Sequence, residues 1–415
     1  MTQPFVPAKR TIMTPGPVEA EPRVLRAMST PILGQFDPLF TSIMNDVMED
    51  LRRVFQTSNH WAFPIDGTSR SGLEAVLCSI IHPGDKVLVP VFGRFGQLLT
   101  EIAERYGAEV FTMECEWGTV FEPAEVIDEI ERIQPHIAAA VHGETSTGCL
   151  QPLQEIGRCC RDMGSLFVVD AVASLGGTDV KVDEWYIDAA IAGTQKCLSV
   201  PSGMAPITYN ERVEQVVNAR KKVERGIATA EDELEKRKQP PIASNYFDLS
   251  QLQDYWSPRR LNHHTEATSM LYGLQEGIRI VLEEGLADRF KRHRFHEQAL
   301  RAGLQAMGLS LYADHDAKLP MVTCVNIPAN VDGNAIRHLM LEQFGVEIAA
   351  SFGPLKGKIW RIGTMGYSCR RENVLFTLSA LEAALLSHHV PIYAGHAVQK
   401  ALEVYQRNTE GVQKS

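Results

Sequence analysis

From about residue 60 the chain alternates short apolar runs with amphipathic stretches, the pattern of a mostly parallel sheet covered on both faces by helices. After Gly67-Thr68-Ser69-Arg70-Ser71-Gly72, the apolar residues Leu73, Val76, Leu77, Ile80 and Ile81 recur at helical spacing. Pro83-Gly84-Asp85 ends that helix. Strands are predicted over 86–91, 109–113, 136–142, 165–172 and 188–193, with helices over 95–106, 123–133 and 153–163 between them. The helix over 123–133 opens on Pro123, where a missing N–H costs least.

A long helix is predicted over 266–284. Beyond it the pattern changes to strands over 321–327, 346–350 and 359–363 and a closing helix over 371–386. The expectation is an α/β chain with an N-terminal arm over 1–20, a large domain over 21–286 and a smaller α+β domain over 287–415. Residues 211–238 carry 15 charged side chains in 28 positions, of mixed sign, and predict a solvated helix or excursion rather than a binding patch.

Composition narrows the partners. With 41 Lys plus Arg against 51 Asp plus Glu, the net charge of −10 offers no general attraction to nucleic acid or acidic lipid. No apolar run approaches the roughly 18 residues that would suggest a membrane span, and residues 1–22 lack the apolar core of a secretory signal. Eight cysteines without a CxxC pair fit a reduced compartment, so a cytoplasmic protein without a zinc site is expected.

Three segments carry candidate chemistry. The Gly67–Gly72 loop feeds a helix N-terminus, which offers free backbone N–H groups to a phosphate or is a plain turn. No Lys-Ser/Thr pair follows its second glycine and no GxGxxG follows a strand, so neither nucleotide motif applies. Asp170 ends the apolar run Phe167-Val168-Val169, at the sheet edge where open α/β folds bind ligands, or else caps the next turn. Lys196 follows 26 residues later in Gly193-Thr194-Gln195-Lys196. An acid at one strand end and a lysine just past another suit pyridoxal phosphate: the carboxylate on the pyridinium nitrogen, the amine forming a Schiff base.

With these motifs the chain resembles the class V, fold-type I pyridoxal-phosphate aminotransferases of the alanine/serine–glyoxylate group. The resemblance runs through Thr14-Pro15-Gly16-Pro17, 67–74, His142-Gly143-Glu144-Thr145-Ser146-Thr147-Gly148, 169–177, 193–196, His263-His264-Thr265 and Trp360-Arg361-Ile362-Gly363. It implies that Lys196 binds the cofactor covalently and shuttles the substrate proton, and that Asp170 keeps the ring nitrogen protonated. It also implies that Phe95 stacks on the ring and Thr145 reaches the ring hydroxyl. Phosphate binding falls to Thr68, Ser69, Arg70 and Gln195, with Thr265 from the neighbouring subunit of a homodimer. Members usually carry Gly-His where this chain has Ser69-Arg70, which favours a backbone role there. Arg361 aligns with the clamp on the substrate carboxylate, beside a backbone N–H at Gly16. His142 and His264 are expected to pack or support, and no metal is assigned.

The resemblance is strongest to the purine-catabolic branch, which implies (S)-ureidoglycine as donor and glyoxylate as acceptor. Asn262 stands immediately before His263-His264-Thr265, where alanine- or serine-using relatives commonly have tyrosine, and Gln35 stands in Leu33-Gly34-Gln35-Phe36. Two amides can complement a ureido group's N–H and C=O. An alanine or serine donor is the nearest alternative. More distant are a cysteine desulfurase, with Cys369 as its thiol, and a cofactor-binding protein without turnover.

Overall fold

The computed structural model describes residues 6–230, 232 and 239–412. A seven-stranded sheet runs from edge to edge in the order Trp61–Gly67, Gly203–Tyr209, Ala189–Ile191, Leu166–Asp170, Ile137–Val141, Lys86–Val91 and Glu109–Glu114. Gly203–Tyr209 alone runs against the direction of the other six strands. The α/β expectation holds, and the central strands are buried on both faces because helices cover both. Helices Ser69–Ile80, Arg94–Arg105, Pro123–Ile133 and Gln154–Met163 lie where the periodicity puts them.

The strand ends are flush: Val141 pairs with Asp170 and Asp170 with Ile191. Every strand that runs in the common direction therefore releases its chain at one edge. The turns after Gly67, Val91, Val141, Asp170 and Ile191 all open there.

A second sheet joins Val322–Asn326, Ile359–Gly363 and Ala349–Ala350. Its core takes Trp360, Ile362, Leu378, Leu381 and Leu385 from the closing elements. Residues 346–350 do not form one strand as expected. Val346–Glu347 pairs in parallel with Thr11–Ile12, while Ala349–Ala350 joins the second sheet, and buried Ile348 lies between. Met13, fully buried, packs in that second core.

The charged stretch begins as the expected helix and departs from expectation at Arg220. Glu211–Ala219 is a helix capped by Asn210, and Arg220 is buried, its guanidinium donating to the carbonyls of Ser79 and Ile81 at 3.0 and 2.9 Å. This cation closes the C-terminal end of Ser69–Ile80, whose last carbonyls have no partner within the helix. Residues 231 and 233–238 lie outside the described residues.

Candidate active site

At the common sheet edge lies a cavity of about 340 Å³. Its wall brings together Gly16, Thr68, Ser69, Arg70, Phe95, Thr145, Asp170, Gln195 and Lys196. These nine come from six separate stretches of sequence, and the flush strand ends explain why all but Gly16 meet.

Lys196 is buried, and its ammonium donates to the carbonyl of Pro15. Burial, then the charge of Arg361, pull its pKa down to about 8, so roughly a tenth of the amine is neutral at pH 7, far more than an ordinary lysine offers. Gly16 passes over the lysine at φ +111°, and a Cβ there would collide with the Lys196 side chain. A side chain is excluded twice, by conformation and by space. Asp170 is buried too, with Oδ1 accepting from the Val172 N–H at 2.9 Å. Burial raises its pKa to about 6.

Thr68 caps the helix Ser69–Ile80 without a side-chain hydrogen bond, which leaves the helix N-terminus open to an anion. Gln195 donates from Nε2 to Ser69 Oγ at 3.1 Å, while its buried Oε1 has no partner. Gly67, at φ +121°, makes the turn. An aldehyde-bearing heterocyclic phosphate fits these features: an amine at one end, a carboxylate in the wall, and an open helix terminus for the phosphate.

Arg361 is 5% exposed, and burial lowers its pKa to about 10. Its Nε donates to Ala350 O at 2.8 Å and one terminal nitrogen to Thr145 O at 2.9 Å, and its guanidinium lies 4.6 Å from the centre of the Phe352 ring. Among the described residues no carboxylate pairs with it. A buried cation held by neutral carbonyls is poised for an anionic ligand rather than for a structural ion pair.

Gln35, Asn262 and Thr265 do not line this cavity. Gln35 Nε2 donates to Asn262 Oδ1 at 3.0 Å on the outer surface, and Thr265 is exposed. His142 is buried with Nδ1 2.9 Å from Ser174 Oγ, and burial lowers its pKa to about 3. Cys369 is fully buried, its thiol pushed up to about 12 by burial, so it offers no accessible thiolate for desulfuration.

Two residues of the site escape the sequence reading. Ser202 lines the cavity. Glu144, fully buried, accepts from the Phe95 N–H at 2.8 Å and from the Ser146 N–H and hydroxyl at 2.9 and 2.6 Å. A carboxylate at the start of Arg94–Arg105 satisfies free N–H groups and fixes where Phe95 stands. No local signal reveals this, because the partners are 49 residues apart.

Residues 29–355 match the family model for class V aminotransferases. The chain belongs to the class V aminotransferases. It is 68% identical over 397 residues to the (S)-ureidoglycine–glyoxylate transaminase of Bacillus subtilis, covering 96% of this chain and 95% of that one. The crystal structure of the ureidoglycine–glyoxylate aminotransferase from Bacillus subtilis superposes with a TM-score of 0.92 at 64% identity, covering 97% of this chain and all of that one. The alanine–glyoxylate aminotransferase of Drosophila melanogaster is 35% identical over 94% of this chain and 95% of its own. Class V aminotransferases depend in general on pyridoxal phosphate, and this one presents the cavity that such a cofactor requires. Among its described helices none is long and apolar enough to cross a membrane.

Proposed function

We propose that this aminotransferase takes the amino group of (S)-ureidoglycine and delivers it to glyoxylate, forming an oxalurate-type oxo acid and glycine. The observation that carries the reading is Lys196 and Asp170 in one cavity wall, with Arg361, ion-pair-free among the described residues, bonded to the carbonyl of Thr145 in that same wall. The 68% identity to a ureidoglycine–glyoxylate transaminase, against 35% to an alanine–glyoxylate enzyme, supports the choice of donor.

Bound pyridoxal phosphate supplies an electron sink for the pair released when the donor loses its Cα proton. Lys196 would hold the cofactor covalently and, once displaced by donor, take the Cα proton as a neutral amine, a task its lowered pKa suits. Asp170 would carry the charge that keeps the ring nitrogen protonated. The open N-terminus at Thr68–Ser69, with Arg70 and Gln195, would hold the phosphate. Phe95 would cover the ring face, with Glu144 fixing its backbone, and Thr145 would face the ring hydroxyl. Arg361 would grip the α-carboxylate of donor and acceptor alike, with Gly16 beside it.

A homodimer completes this site. Leu25, Ile32, Phe36 and Leu39, within ten residues of Gln35 in sequence, are all at least half exposed, and a second copy covering them would remove that apolar surface from water. Burying it against a second copy would bring Asn262 and Thr265 to the neighbour's cavity. Gln35 and Asn262 would then meet the ureido group with both a donor and an acceptor, and an alanine methyl would leave them unpaired. Absorbance of the cofactor after single additions of ureidoglycine, alanine or serine tests the donor: ureidoglycine should convert the yellow form and the others should not. Equal conversion by alanine would remove the proposed specificity. Asn262→Tyr with Gln35→His should cut ureidoglycine turnover about 10²-fold or more and gain alanine activity.

A further inference from the structure

Outside the cavity, Asp66, His264 and Glu266 bring one ligand atom each to within 4.8 Å of one another. Their side chains are 11%, 12% and 1% exposed. His264 Nε2 lies 3.3 Å from Asp66 Oδ2 and 3.6 Å from Glu266 Oε2, yet makes no hydrogen bond. Both carboxylate oxygens of Glu266 and Asp66 Oδ1 are buried without a well-formed hydrogen bond; the Tyr255 hydroxyl lies near Glu266 and gives it at most a weak one, and the Tyr255 ring lies 4.8 Å from that of His264. No lysine or arginine among the described residues pairs with either acid. Two buried carboxylates facing one imidazole are short of positive charge, and isolated buried charge is costly.

The imidazole's orientation points the same way. His263 Nδ1 and His264 Nδ1 are 2.7 Å apart, so one of them carries the proton between them. When His264 carries it, the Nε2 lone pair faces two carboxylates, an arrangement that is repulsive without a cation between them. That outward hydrogen bond is what orients histidine ligands in metal sites. Tetrahedral ligands at metal distances of about 2.1 Å lie about 3.4 Å from each other, close to the 3.3 and 3.6 Å seen here. From these we infer that Asp66, His264 and Glu266 form a structural site for a divalent first-row transition metal of the zinc class. Imidazole with carboxylates is the donor set such ions accept. The ligands come from residues 66 and 264–266, so no compact spacing motif announces them. Asp66 also accepts from the Ala267 N–H at 3.1 Å. The ion would thus pin the 264–267 segment to the strand that leads into Gly67 and Thr68.

The test uses the untagged holoenzyme, equilibrated with micromolar zinc and then gel-filtered, with metal content read by mass spectrometry. About one zinc per chain is expected, with cobalt competing for the same position. The Tm should exceed that in chelator by about 2–4 °C. Glu266→Gln should cut retained zinc at least tenfold and abolish the Tm difference. The alternative is a proton shared between Asp66 and Glu266, which burial and the neighbouring carboxylate favour by raising Glu266 well above the usual range. Wild-type protein holding less than about a tenth of a zinc or cobalt per chain, with one Tm in both buffers, would overturn the proposal without any variant having to fold. So would zinc retained equally by Glu266→Gln.

Discussion

Two regions of this aminotransferase hold their charges differently. Where the helices Thr268–Glu284 and Leu286–Ala306 meet, Glu284 pairs with Arg289 and Arg292 at 2.5 Å. Arg289 also donates to Gly176 O, Arg292 to Cys369 O, and His293 accepts from the Gly366 N–H at 2.9 Å. At the cavity and its rim Lys196, Asp170 and Arg361 are buried more deeply than Glu284 and Arg292, yet their hydrogen bonds go to backbone groups alone. Saturated charge builds a joint. Unsaturated charge costs stability unless a ligand completes it, which is why perturbed groups of this kind mark functional sites.

Substitutions should separate the two regions. Lys196→Ala should abolish covalent cofactor binding and cut turnover by about 10³-fold or more, with little loss of Tm in the cofactor-free protein. Arg361→Ala should lower kcat/KM for glyoxylate by about 2–3 kcal/mol, roughly 30–150-fold. Because the Arg361 charge helps to lower the Lys196 pKa, the same variant should move the basic limb of cofactor capture to higher pH. At the joint, Glu284→Gln should instead cost about 3 kcal/mol of stability, read by denaturant unfolding, while leaving KM nearly unchanged.

The smallest effect concerns pH. Capture of pyridoxal phosphate by cofactor-free protein needs a neutral amine, so its rate should rise with pH and level off above about 8, the Lys196 value. Asp170 takes up a proton as pH falls through about 6 and loses the charge that holds the ring nitrogen. Cofactor affinity should weaken below that pH in wild type and lose this dependence in Asp170→Asn. Stopped-flow absorbance and equilibrium titration measure the two limbs.

The alternation of apolar and amphipathic segments made the parallel core legible, because such strands are apolar throughout and their crossover helices have one clean face. Gly203–Tyr209 was hidden by Pro206, which argues against a strand in the middle of a sheet. It stands opposite Pro64, so both missing donors fall at one level of the ladder. Leu286–Ala306 was hidden because its inner face carries Arg289, His293, His296 and Glu297, which blur the helical period. Among its described side chains His396–Val412 buries a thin stripe of Ala397, Ala401 and Tyr405. At the site, Asp170 and Lys196 were visible from strand-end placement, whereas Arg361 needed the family resemblance. Glu144 was invisible because it acts on a backbone N–H far along the chain.

The most direct measurement is reduction of the holoenzyme with borohydride, followed by digestion and mass spectrometry of the labelled peptide. The account predicts a single pyridoxyl adduct on Lys196, absent from Lys196→Ala. An adduct on another lysine, or none from protein that turns over substrate, would contradict it.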